Sequence, residues 1–449
     1  MSDLWLWARQ RRIPGVGTSF RPSLAVFNGR LYAAWKGISG DTGIYWSSSD
    51  GRSWAGQQRI SGVGTSVGPS LAVFGNQLYA AWQGIPGDDG IYWSSFNGSG
   101  WAGQRRISGV GTSLIPSLAT FGNQLYAAWK GVGSDQGIYW SSFDGQTWAG
   151  QQHIGGVGSS VGPSLAVFGG RLYAAWKGID SDSGIYWSSF DGARWAGQQR
   201  IGGVGTSLGP AIAVANNQLY AVWKGIPGDN GLYFSSFNGS GWAPQQNIGG
   251  VGSSVGPSVA AFGNFLVAAW QGIPGDDGIY WSTLFDFTAA NVRLGFTMQP
   301  QTQSNWCWAA VSTSVSHYYN AASPWTQCLI ANQQLGQTTC CVTPGSAACN
   351  QTGYLDRAMT TMGNLDAWQS GTVPVATLDG EVLRSIPVGI RIAWSGGGAH
   401  FVAVTGSVNS SGLVHVQDPI YGTTDITYNT LATVYQGTGS WTHTYFSKP

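Results

Sequence analysis

The sequence predicts a mainly β architecture made of one unit written six times, followed by a shorter α+β segment with different chemistry. Three observations carry that prediction. Tryptophans recur at a constant 47-residue step through the first 285 residues, as from Trp35 to Trp82. Each step holds four short strand signals bounded by Gly, Asn and Asp. The beat stops after Thr283, and all five cysteines lie beyond it.

The elements follow in order. Trp35, Trp82, Trp129, Trp176, Trp223 and Trp270 form one series, and Trp46, Trp93, Trp140, Trp187, Phe234 and Trp281 a second. A third runs Trp7, Trp54, Trp101, Trp148, Trp195 and Trp242. In the second copy the strand signals are Ser70–Phe74, Gln77–Trp82, Gly90–Phe96 and a segment from Trp101 to Ile107. Four strands per copy, six times over, read as a six-bladed β-propeller. The third series starts at Trp7 and has no member after Trp281, where position 289 is Ala. The segment around Trp7 is therefore expected to supply the outer strand of the last blade and close the ring without an open edge.

Composition narrows the function. Charged residues make up 9% of the 449, against about 25% in ordinary domains. Lys+Arg 21 against Asp+Glu 20 gives a net charge of +1, which argues against a nucleic-acid binder. Aromatic residues at 13%, with 24 Trp, argue for packed cores rather than disorder. Apolar runs are only a few residues long, so no membrane insertion is expected, and the start MSDLWLWARQRR does not read as a secretory leader.

Loop lengths assign the propeller's faces. In an up-and-down blade the short 1–2 and 3–4 turns share one side, and the longer polar 2–3 and 4–1 connections share the other. The decorated side is expected to offer the indoles of Trp35, Trp82, Trp129, Trp176, Trp223 and Trp270, with Lys36 or Gln83 beside them. It also carries Asp41, Asp88, Asp135, Asp182, Asp229 and Asp276, and hydroxyl pairs such as Thr65–Ser66. An aromatic plane beside carboxylates and hydroxyls suits a sugar, and repeated weak sites add avidity. The competing reading has the tryptophans wedging blades together and each Asp tying its own turn. This half resembles β-propeller lectins of the fucose-binding kind, on repeat length and the W…DG…W pattern. The resemblance implies glycan partners. Ser142–Trp148 also looks like a shortened sialidase Asp-box, but near-identical blades lack the asymmetric cluster a sialidase requires. Calcium stays open, since loop acids can ligate a hard cation, although no EF-type spacing is present.

In the last 160 or so residues the stretch Gln301 to Val311 leads into Trp308, Val311, Val315 and Tyr318 at helical spacing. Cys307 then opens a helix, with Ser304 or Asn305 as its cap, where unpaired N–H groups favour thiolate. His400 follows three glycines and opens a strand, and Asp418 ends the next one, across the turn Asn409–Gly412. Cys307 as nucleophile, His400 as base then acid and Asp418 as orienting carboxylate make a hydrolytic constellation. Gln301 could donate its amide to the oxyanion together with the Cys307 N–H. The pattern Gln…Cys-Trp-Ala…His-Phe-Val…Asp-Pro resembles papain-like cysteine proteases, most closely compact bacterial effector peptidases. That resemblance implies a papain-like domain over 286–449 and a protein substrate. Asp418 stands where papain itself would carry Asn.

Other candidates carry less chemistry. His317 sits on the helix after Cys307 and reads as packing or surface; His415 and His443 have no motif context, and His153 is an isolated replacement in a repeat. No HExxH or paired Cys/His spacing indicates a metal, and no cofactor is implied. Cys328, Cys340, Cys341 and Cys349 can form two disulfides in three ways, the adjacent pair being the least suited to bonding. Disulfides point to an oxidising, extracellular destination, reached without a recognisable leader. Residues 286–297 read as a short junction. The sequence is thus expected to encode a propeller over 1–285 that holds glycoconjugates and a cysteine protease over 286–449, as in a toxin, defence protein or effector. The alternative is a multivalent lectin whose appended domain is inactive or non-proteolytic.

Overall fold

The computed structural model describes residues 5–286, 291–408 and 412–449; the turn residues Asn409–Ser411 and position 289 fall outside them. The chain divides into two compact units, Gln10–Leu284 and Met1–Arg9 with Phe285–Pro449.

The first unit is a six-bladed β-propeller in which five blades are four-stranded antiparallel sheets and the last belongs to a five-stranded sheet that also takes in Trp5–Trp7. In the first blade the strands are Ser23–Phe27, Arg30–Lys36, Gly43–Ser49 and Gln58–Gly64. The last blade takes its outer strand from the N-terminus, with Arg11 opposite Trp281 and Gly17 opposite Gly278. Ring closure by the N-terminal segment occurs as expected: Trp5–Trp7 pairs with Gly278–Asp286, and Arg11–Gly17 pairs with that same strand. The other blades show the same break after the tryptophan. Trp54 makes only an isolated bridge to Ser49, and regular pairing resumes at Gln58, after the intervening Ala-Gly-Gln.

Neighbouring blades are latched along the inner strands. The N–H groups of Leu71, Leu118, Leu165 and Ile212 donate to Ser23, Ser70, Ser117 and Ser164 of the preceding blade at 2.9–3.1 Å. Glycine is needed where one blade meets the next: a Cβ on Gly64 would stand 2.9 Å from Ile85 Cγ2.

The second unit is mixed α/β. Its sheet runs Leu365–Ser370, Gly439–Ser447, Val388–Trp394, Ala399–Val408, Leu413–Asp418, Gly422–Thr427, with Asn291–Arg293 also paired to Ala399–Val408. The helix Cys307–Tyr319 packs on one face through Trp308, Val311 and Val315, against Leu355, Phe401 and Tyr445. A separate cluster of Leu378, Val382, Ile390, Val402, Val416 and Phe446 forms a second core. Disulfides join Cys328 to Cys341 and Cys340 to Cys349, so the adjacent cysteines take different partners. Trp306 Nε1 donates to the Cys349 carbonyl at 2.8 Å, tying the crosslinked loop to the start of the Cys307 helix. Arg9 belongs to this unit: its guanidinium meets Asp366 at 2.6 Å and lies 4.1 Å from the centre of the Phe446 ring. No helix among the described residues is long and apolar enough to cross a membrane.

Candidate functional site

Cys307 is the first residue of its helix, buried and outside both disulfides. The cap residue is Trp306, which makes no side-chain capping bond. Ser304 and Asn305, the caps expected from sequence, are committed elsewhere. Asn350 Oδ1 accepts from the Asn305 N–H, and its Nδ2 donates to Ser304 Oγ at 2.9 Å. No side chain therefore caps the first turn.

His400 and Asp418 meet at the same end of two paired strands, whose register runs through Ala403 opposite Gln417. His400 Nε2 lies 2.9 Å from each oxygen of Asp418. This leaves Nδ1 free of the carboxylate, and Cys307 lines the same cleft as His400, close enough for its sulfur to raise the imidazole's pKa. The carboxylate is saturated: Oδ1 accepts from the N–H groups of Ile420 and Tyr421 at 2.6 and 2.9 Å, and Oδ2 from the Tyr435 hydroxyl at 2.8 Å. Burial pushes Asp418 up, but these donors and His400 outweigh it and hold the carboxyl below its ordinary value. Burial pushes His400 down, and its bonds to Asp418 and Cys307 more than offset this, raising it to about 9. The imidazole is therefore protonated at neutral pH, poised as a proton donor beside the sulfur. Trp394 stacks on the ring at 5.9 Å between centroids, and Tyr421 meets it edge-on at 6.1 Å.

These groups open on a cleft of about 730 Å³ whose walls include Trp308, Tyr354, Trp368, Arg391, Tyr421 and Tyr445. Gln301 does not line it. Its Nε2 donates to the carbonyls of Gln303 and Ser304 at 2.9 and 3.0 Å, because the Gln301–Asn305 loop folds back on itself. Both amide protons are spent, which corrects the expected oxyanion role of Gln301. The N–H groups at the helix start remain as donors. Tyr435 and Trp394 escaped the sequence reading. Tyr435 is 17 positions beyond Asp418 with no motif around it, whereas Trp394, just before the Gly-rich turn into His400, was a readable signal.

On the propeller the expected sugar-stacking indoles are corrected outright. Trp35, Trp82, Trp129, Trp176, Trp223 and Trp270 are all 0% exposed, sealed between blades. Asp41, Asp88, Asp135, Asp182, Asp229 and Asp276 tie their own turns. Each Oδ1 accepts the N–H of the glycine two residues on, at 2.7–2.9 Å. Each also accepts from the tyrosine hydroxyl four residues on, as Asp88 does from Tyr92 at 2.8 Å. The side chains left accessible are different ones: the guanidiniums of Arg59, Arg106 and Arg200 lie 5.9 Å from the ring centres of Tyr45, Tyr92 and Tyr186. At the equivalent place His153 lies 5.1 Å from Tyr139.

Among the described residues no group of three or more His, Cys, Asp or Glu could hold a metal. No family model matches the sequence, and no curated protein matches it. Solved structures resemble it at low identity. A fungal lectin from Aleuria aurantia, described as six-bladed with a novel fucose recognition mode, is 18% identical, covering 58% of this chain and 90% of that one, with a TM-score of 0.43. AofleA from Arthrobotrys oligospora is 11% identical over 62% of this chain and 86% of its own, at a TM-score of 0.47. A protein of unknown function from Dyadobacter fermentans is 13% identical over 61% and 98%, at 0.46. At these identities and scores the likenesses assign no activity.

Proposed function

We propose that this chain is a thiol hydrolase of papain-like type carried on a glycan-binding propeller. The observation behind the hydrolase is the convergence of Cys307, His400 and Asp418, which lie more than 100 residues apart at the extremes. Cys307 attacks the acyl carbon, His400 gives its proton to the leaving amine, and water then releases the acyl group with His400 as base. Asp418 holds the ring. The N–H groups at the uncapped helix start face the developing oxyanion. The aromatic cleft beside the sulfur is wide enough for an extended peptide, which favours a protein substrate. The two disulfides fit an oxidising, extracellular setting.

For the propeller, the exposed Arg–Tyr–Asp clusters, repeated with variations around the ring, are where a glycan would bind. The second reading, a lectin with a non-proteolytic appended domain, is favoured by the occupied amide of Gln301.

An epoxide thiol probe and a fluorogenic peptide library decide between them. Labelling and turnover that Cys307→Ala and His400→Ala both abolish support the hydrolase. An intact native thiol that neither reacts nor turns over peptide leaves the lectin reading. A glycan array, with Arg59→Ala and Arg106→Ala as controls, tests the propeller.

A further inference from the structure

The six copies differ at one place on the propeller axis. The residue preceding the proline of the inner-strand approach is Arg21, Gly68, Ile115, Gly162, Gly209 and Gly256 in successive blades. The glycines let the backbones of neighbouring blades approach closely, a Cβ on Gly256 standing 2.9 Å from the Gly209 carbonyl oxygen, and Arg21 reaches two of them. A Cβ on Gly209 would stand 3.6 Å from Arg21 Nη1, and one on Gly256 would stand 4.0 Å from its Cδ, so the side chain crosses the axis from the first blade toward the fifth and sixth.

Arg21 lies between two axial cavities and lines both. The inner one, about 70 Å³, is walled by Ser23, Ser70, Ser117, Ser164 and Ser258. The outer one, about 230 Å³, is an apolar collar formed by Phe20, Leu114, Ile115, Val161, Leu208 and Val255. No carboxylate lines either cavity, and among the described residues no ion pair engages Arg21. Arg21 is half-buried, and burial pulls its pKa down to about 10, so the group stays charged.

The surrounding field has the same sign. Lys36, Lys130, Lys177 and Lys224 are buried and donate to Ser19, Ser113, Ser160 and Ser207, each next to a collar position. Their nearest carboxylates, of the Asp41 type, are already engaged by backbone and tyrosine donors. A half-buried guanidinium with no ion-pair partner among the described residues is costly, and an anion entering the collar would relieve that cost.

We propose that the propeller axis is a binding site for a small apolar carboxylate, whose charged end meets Arg21 and whose body fills the collar. This rests neither on the hydrolase nor on glycan binding. The collar selects against bare inorganic anions, which cannot use its apolar wall, and Arg21 selects against neutral apolar molecules.

Calorimetric titration of the full chain with octanoate, octanamide and chloride tests it. Octanoate is expected to bind at least tenfold more tightly than octanamide and to resist displacement by equimolar chloride. In Arg21→Gly, which restores the residue found in four other blades, the preference for octanoate over octanamide is expected to vanish. Equal binding of octanoate and octanamide, no binding of either, displacement by chloride, or unchanged octanoate affinity in Arg21→Gly would each overturn the proposal. Should that variant not fold, the comparison of acid with amide on the native chain decides.

Discussion

The Tyr435 hydroxyl donates to Asp418 Oδ2 at 2.8 Å, on the carboxylate that also holds His400 Nε2. The pair is buried, and the tyrosine ring stacks with Trp394, which in turn covers His400. One phenol therefore steadies both the charge and the packing of the orienting group.

Tyr435→Phe keeps the ring and removes the bond. Hydrogen bonds to charged groups contribute about 1.5–3 kcal/mol, so the expected loss in kcat/KM is roughly tenfold or more. The check is the pH profile of Cys307 alkylation together with turnover. A variant with an unmoved profile and full turnover would show that Asp418 needs no help from Tyr435.

The pH dependence follows from two opposite shifts. His400 is raised to about 9, so its contribution to stability is fully present below its unfolded value and is lost as pH rises through about 9. Asp418 is depressed, so its contribution is present above the usual carboxylate value and fades as pH falls through its folded one. Amide hydrolysis should decline as pH rises through about 9, where the leaving amine loses its proton donor. A rate that keeps climbing above that point would contradict the assigned role of His400.

Trp82 and its five equivalents are structural. Trp82→Ala should cost about 3–5 kcal/mol, as expected of a fully buried aromatic. Arg106→Ala, at an exposed site, should leave the melting temperature nearly unchanged. Thermal melts of both variants measure this; similar losses in the two would refute the division into wedge and surface.

Reduction should act on one unit only. Every cysteine lies in the second unit, where the disulfides span separations of 13 and 9 residues. Each crosslink contributes about 2–4 kcal/mol. Mild reductant is expected to lower the melting transition of that unit and silence Cys307 reactivity through the Cys349–Trp306 link, while the propeller transition stays put. A common shift of both transitions would argue against separate units.

Much was legible in one dimension. Five identical spacings between six copies left a propeller as the natural way to pair four short strands per copy, and the missing last member of the Trp7 series pointed to closure by the N-terminus. Cys307, His400 and Asp418 were readable because their neighbours carry periodic signals: a helix start, a Gly-rich turn and a strand end. Other features were not legible. Whether Trp82 faces a ligand or the next blade depends on which side of its strand the neighbouring sheet covers. Gln301 could be named as a donor, but only the folded loop shows its amide turned onto the Gln303 and Ser304 carbonyls.

The sequence by itself determined the repeat, the first three strands of each copy and the chemistry of the three converging side chains, since spacing and residue type are local properties. Only the tertiary structure decided that the repeated indoles are buried, that Tyr435 completes the carboxylate's partners and that Arg21 spans the axis. Burial and side-chain direction arise from contacts between segments far apart along the chain, and no local pattern encodes them.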